Sequence, residues 1–199
     1  LEQQSGIQVV QLSTELQQLP ESYRMMGRIF GDEARGEQLA SYIERINTEL
    51  ARGSETITDE QRISVYYATG DAGLSTAGSK NIHSQVIDVI GARNVYGTAD
   101  KASGWVDVNA EQLLTWDPDW IITMPGKGGA DLASSDAFKS LRAVSHGNVL
   151  TSPHAPWAWM DGPPSVNQVI GAVWAAETIY PDTYNFDLPK EVEEFYSLF

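Results

Sequence analysis

From Arg62 onward one pattern recurs: a run of four to six apolar or β-branched residues, a loop rich in glycine, serine or proline, and then apolar residues at helical spacing. Residues 63–68, 94–97, 120–123 and 148–151 form these runs, short enough to be strands of one sheet. After the first comes a long loop, 69–80, and a helix carrying Ile82, Val86, Ile87 and Ile90 that stops at Gly91. The loop 98–108 leads to a helix capped by Asn109, with Gln112 completing a capping box, and Pro118 forbids its continuation. Residues 125–129 are glycine-rich and precede a helix expected over 135–141. Residues 154–165 precede a helix striped by Val166, Val169, Ile170, Val173 and Ala176, and an acidic helix over 189–199 closes the chain. Strands alternating with helices settle as a mostly parallel sheet covered on both faces by right-handed crossovers. The expected fold is a three-layer α/β/α, Rossmann-like lobe whose strand-to-helix loops all leave along one rim.

Upstream of this repeat, residues 7–12 read as a buried strand, and Pro20 opens a short helix bearing Tyr23, Met26 and Phe30 before Gly31 stops it. Asp32 then caps a long helix in which Leu39, Tyr42, Ile43, Ile46 and Leu50 share one face, opposite Glu37, Glu44, Arg45 and Glu49. Over 32–52 it would run roughly 30 Å, enough to cross a small domain or link two. A chain that opens in the middle of a βα pattern is expected to have a further domain upstream.

The charge balance removes several functions. A net charge of -14 on 199 residues leaves no basic surface for a phosphate backbone or anionic lipid, so nucleic acid is excluded as a partner. No apolar run approaches the roughly 20 residues of a membrane helix. Cysteine is absent, which removes disulfides, thiolate catalysis and cysteine-ligated metals together.

Catalytic motifs are missing as well. No G-x-S-x-G elbow and no G-x-G-x-x-G fingerprint follows the strand at 63–68, and Gly126-Lys127-Gly128-Gly129 lacks the Walker spacing. His83, His146 and His154 are the three histidines, and no two are spaced as a helical metal pair. No nucleophile has a partnered base, an inventory that suits binding rather than turnover. The candidate ligand contacts are those the rim gathers: Tyr67, His83, Trp105, Met124, His154, Trp157 and Trp159, with backbone amides near Gly126 available to an anionic group. The proline-stiffened stretch 154–165 is the most conspicuous. Its two tryptophans either wall a ligand or fold back as an apolar plug over the sheet edge. Trp116, Trp120 and Trp174 lie inside helix or strand patterns and are expected in the core.

Several phrases, taken in order, resemble a known family. They are the long helix at 32–52; the helix and turn from Ile82 to Asn94; Asn109-Ala110-Glu111-Gln112-Leu113-Leu114-Thr115-Trp116-Asp117-Pro118-Asp119-Trp120-Ile121-Ile122; the stretch 138–149; and Gly162-Pro163-Pro164-Ser165 with its helix to Pro181. Together they resemble the C-terminal part of class III periplasmic substrate-binding proteins of ABC importers, which capture iron–siderophore complexes, haem, cobalamin or, in some members, molybdate or tungstate. The resemblance implies residues 1–31 as the remnant of an N-terminal lobe, 32–55 as a linking helix and 56–199 as the C-terminal lobe, with ligand held between lobes. It implies a monomer, periplasmic or lipid-anchored outside the membrane. It also implies docking on a permease with its ATPase, with Glu111 where the second-lobe glutamate would be, and no resident cofactor. Asp161, just ahead of Gly162-Pro163-Pro164, departs from the family, where a basic residue is expected. That disfavours a compact anion, and Trp157, Trp159 and Tyr67 suit a bulky metal chelate such as a ferric siderophore or haem. Two readings compete: a Rossmann-like enzyme domain whose catalytic partners lie upstream, and a surface module for protein contact.

Overall fold

The computed structural model describes residues 6–97, 104–126 and 128–199. Two helices come first, α1 (Leu19–Phe30) and α2 (Glu33–Thr56), joined by Gly31, whose φ of 72° lets the chain reverse. Asp32 caps α2 by accepting the Arg35 amide at 3.0 Å. The helices cross closely because a Cβ on Gly27 would stand only 3.0 Å from the Gly36 Cα. Arg24 clamps the pair from outside, bonding Glu21, Glu37 and Glu44 at 2.8–2.9 Å. The 24 residues of α2 span about 36 Å, longer than expected. Its buried face includes Tyr42, Ile43, Ile46 and Leu50, and each fully buried aliphatic stabilises the fold by about 1.5–3 kcal/mol.

Beyond a 3-10 turn at Asp59–Gln61 come β1 (Ser64–Ala68), β2 (Ser75–Thr76), α3 (Gln85–Val89), β3 (Arg93–Asn94), β4 (Val106–Asp107), α4 (Ala110–Trp116), β5 (Trp120–Thr123), α5 (Gly129–Ser134), α6 (Arg142–Ser145), β6 (Val149–Thr151), α7 (Gln168–Ile179) and α8 (Leu188–Leu198). Four strands make the main sheet in the order β3-β1-β5-β6, all parallel, with Tyr67 opposite Ile122 and Thr123 opposite Thr151. Alternation along the strands builds two cores. Val65, Tyr67 and Ile122 face α2, α3, α7 and α8, while Tyr66, Ala68 and Ile121 face Leu113 of α4, Leu132 of α5 and Ala143 of α6. This is the three-layer α/β/α lobe expected from the alternation. Trp116, Trp120 and Trp174 pack against these cores, as their positions predict.

Three expectations are corrected. Residues 6–14 carry no regular structure and Ile7 is 68 % exposed, so the strand expected at 7–12 is not formed. A strand needs a paired neighbour and a covered face, and this segment lies outside both described sheets. The helix expected at 135–141 is instead a run of turns between α5 and α6, pinned by the buried Phe138 and Leu141. The helix expected from Ile82 shrinks to Gln85–Val89, because side chains hold 81–84 as turns: Asn81 accepts the His83 amide at 3.0 Å and Ser84 donates to the Gly78 carbonyl at 2.6 Å.

Candidate functional site

In the strand order β3-β1-β5-β6, the connection from β1 runs to one side and that from β5 to the other, which leaves a crevice beyond their carboxyl ends. A cleft of about 430 Å³ opens there. Thr69 and Gly70, which follow β1, and Met124, which follows β5, form its floor. The antiparallel ribbon of β2 and β4, pairing Ser75 with Asp107 and Thr76 with Val106, supplies Ser75 and holds Trp105 over the opening. His83 enters from the turn before α3, and Asp161, Gly162 and Pro163 from the stretch after β6. A larger groove of about 630 Å³ beside α2 is lined by the ion-paired Arg45 and Glu191 and lies away from the strand ends.

His83 and Asp161 are the polar centre of the cleft. His83 Nδ1 lies 2.9 Å from Asp161 Oδ2, and Asp161 Oδ1 accepts the Gly162 amide at 2.8 Å. Asp161 is 2 % exposed, and burial raises its carboxyl above the usual range although the hydrogen bond and charge of His83 oppose this. The pair is held from behind by Gln168 at the start of α7. Its amide nitrogen donates to the carbonyls of Ile82 (2.8 Å) and Met160 (2.6 Å), the residues immediately before His83 and Asp161. Its carbonyl oxygen accepts from Gln85 at 2.7 Å, so every polar atom of this buried amide is used.

Of the seven residues read as ligand contacts, the structure brings four together. His83, Trp105 and Met124 line the cleft, with the imidazole 4.6 Å from the Trp105 ring. Tyr67 lies beneath, wholly buried, 5.8 Å from Trp105, and its hydroxyl has no hydrogen-bond partner among the described residues. Burial, then the Asp161 charge, holds that phenol well above its ordinary pKa. The other three are placed elsewhere. His154 and Trp157 are exposed, Trp157 by 50 %, and neither lines the cleft. Trp159 turns inward as the plug: its indole donates to the Tyr196 hydroxyl at 2.8 Å and it packs in the α2–α7–α8 core. Gly126 and Gly128 do not line the cleft; Gly128 packs against Gly73 in the loop after β1, and Lys127 lies outside the described residues. Sequence reasoning missed Gln168 and did not pair Asp161 with His83; the one local signal was an acidic residue inside an otherwise apolar, proline-rich stretch. Glu111 is exposed in the first turn of α4.

Residues 1–156 match the sequence profile of a family described as periplasmic binding protein. The chain is 27% identical over 164 residues to YvrC of Bacillus subtilis strain 168, an uncharacterized ABC transporter substrate-binding lipoprotein, which covers 82% of this chain and 50% of that protein. Among solved structures, an ABC transporter solute binding protein from Sulfurospirillum deleyianum DSM 6946 aligns with a TM-score of 0.87 at 31% identity, over 94% of this chain and 58% of that one. The molybdate-bound periplasmic binding protein MolA of Haemophilus influenzae shares the fold, with a TM-score of 0.75 at 23% identity over 92% of this chain and 56% of its own. The chain therefore spans about half the length of the curated relative it matches. No helix among the described residues is long and apolar enough to cross a membrane, and the family works outside the cytoplasm. By profile, fold and the order of its elements, the chain belongs to the periplasmic binding protein family.

Proposed function

We propose that this chain is the C-terminal lobe and linking helix of an ABC importer's substrate-binding protein, and that its cleft forms half of a site for a metal chelate such as a ferric siderophore or haem. The observation that carries the reading is the lining itself. Trp105, Met124 and Pro163 offer apolar surface to a bulky organic ligand, and among the described residues that line the cleft none is Lys or Arg. Molybdate, tungstate or another compact oxyanion would need converging donors and would meet the buried Asp161 carboxylate. Cobalamin, a bulky chelate too, remains the alternative within the same chemistry. In this reading α2 (Glu33–Thr56) links two lobes, residues before it belong to the other lobe, and the monomer hands its ligand to the permease and ATPase. The exposed Glu111 makes one of the docking contacts.

Titrating the intact protein with a ferric hydroxamate, haemin, cobalamin and molybdate, while following tryptophan fluorescence, tests the assignment. A chelate is expected to quench at stoichiometric concentration, and Trp105→Ala to weaken it by about tenfold, the loss of one stacked ring worth about 0.5–1.5 kcal/mol plus its buried area. His154→Ala and Trp157→Ala are expected to leave affinity unchanged. Saturation by molybdate alone would refute the chelate.

A further inference from the structure

We infer that Gln85 is a positioning residue for ligand capture: with Gln168 it links the cleft to the turn at residues 14–16 and to the middle of α2, none of which lines the cleft. The inference rests on the reading of the cleft as the ligand site and of the residues before α2 as part of the other lobe. The path is continuous and buried. Gln168 donates to the carbonyls of Ile82 (2.8 Å) and Met160 (2.6 Å), one residue before the cleft-lining His83 and Asp161. Its carbonyl oxygen accepts from Gln85 at 2.7 Å. Gln85 gives its other N–H to the Thr14 carbonyl at 3.3 Å and accepts the Leu16 amide at 2.9 Å. The Leu16 carbonyl accepts from Asn47 of α2 at 2.8 Å. Gln168 and Leu16 are each 1 % exposed.

The polarity of this chain of bonds is fixed. Gln168 must turn its nitrogen to two carbonyls, so its oxygen meets Gln85. Gln85 must then present its nitrogen there, which leaves its oxygen for the Leu16 amide. Flipping either amide would set oxygen against oxygen and N–H against N–H, so neither side chain can reorient alone. Around the pair the packing between α3 and α7 is apolar, with Val86 and Ile87 on one side and Val169 and Ile170 on the other. Another apolar pair would fill that contact with no polar atom to satisfy. What the two amides add is a directional connection between segments distant in sequence.

The connection ends where order ends. Residues 6–14 have no regular structure, whereas Leu16 is buried among the residues of the α2–α7–α8 core, so the Gln85 bond stands at the boundary between a loose and a packed segment. A ligand held against His83, Asp161 and Gly162 restrains the neighbouring Ile82 and Met160 carbonyls, and through them Gln168, Gln85 and the turn. Filling the cleft therefore makes opening of the turn rarer, and by linkage an opened turn binds ligand less well. Exchange of the Leu16 amide hydrogen reports that opening directly.

The test is amide hydrogen exchange in the intact protein, read residue by residue by NMR. The Tyr180 amide, bonded to the Ala176 carbonyl at 2.9 Å at the far end of α7, is the internal control. Gln168→Met, which removes no hydrogen bond to residues 14–16, is expected to speed Leu16 exchange by about tenfold and leave Tyr180 unchanged. Gln85→Met should speed it at least as much. Gallium protoporphyrin, gallium ferrichrome and cobalamin serve as diamagnetic probes of the cleft. A probe that binds the wild type should slow Leu16 exchange, and the slowing should vanish in both variants. Leu16 exchange at the wild-type rate in Gln168→Met, or equal acceleration at Leu16 and Tyr180, overturns the connection. So does a probe that binds the wild type and leaves Leu16 unchanged, an arm that needs no variant to fold. If no probe binds while Gln168→Met acts on Leu16 and spares Tyr180, the chelate reading fails and the connection stands.

Discussion

Replacing Gly171 by alanine sets helix propensity against packing, and the structure says which wins. Gly171 lies in the first turns of α7, where alanine would ordinarily gain about 1 kcal/mol over glycine. A Cβ built there would stand 2.0 Å from the Trp159 carbonyl oxygen and 3.4 Å from the Trp159 Cβ. Real Cβ contacts essentially never fall below 3.0 Å, so the chain at Trp159 must retreat by about 1 Å. That chain cannot retreat freely: the Trp159 amide donates to the Pro153 carbonyl at 3.0 Å and its indole to Tyr196 at 2.8 Å. Overpacking of this kind costs about 1–3 kcal/mol, and contact with backbone puts it at the upper end. The net expectation is destabilisation by about 2 kcal/mol. With a urea slope of about 2–3 kcal/mol/M for a chain of this size, the unfolding midpoint should fall by about 0.7–1 M. Because Asp161 follows two residues later, chelate affinity should fall in the same variant. A midpoint equal to or above wild type would refute the reasoning, since propensity would then have outweighed the clash.

Two further outcomes follow, one from the core at Tyr67 and one from the Arg24 cluster on the surface. Tyr67→Phe removes a buried hydroxyl that has no partner among the described residues, so the unliganded protein should gain about 1–2 kcal/mol, a rise of roughly 2–6 °C in Tm by calorimetry; a lower Tm would show that the hydroxyl is satisfied in solution. The Glu37 carboxyl is pulled from 4.5 down to about 2, chiefly by hydrogen bonds from Arg24 and then Ser41. A depressed folded-state pKa gives stability that is present above pH 4.5 and lost as pH falls from there through about 2. In Arg24→Gln, NMR titration of the Glu37 carboxyl should therefore return to the ordinary range, and an unmoved titration would break the assignment.

The alternation of short apolar runs with amphipathic segments was sufficient to specify a parallel α/β/α lobe, because period 2 and period 3.6 are written locally. Caps were legible for the same reason: Asp32, and Asn109 with Gln112, act within one turn of the residues they satisfy. The order of those elements carried the family. Partners distant in sequence left no such trace. His83 and Asp161 are 78 residues apart, and the β2–β4 ribbon that hangs Trp105 over Tyr67 is two residues long on each side, too short to register as a pattern. The tryptophans at 157 and 159 are two positions apart with identical side chains, yet one is half-exposed and the other faces Gly171 and Tyr196. Composition treats them alike. What separates them is whether a neighbouring helix offers a glycine-sized recess and a hydroxyl at that point, and such complementarity exists only once α7 and α8 have packed.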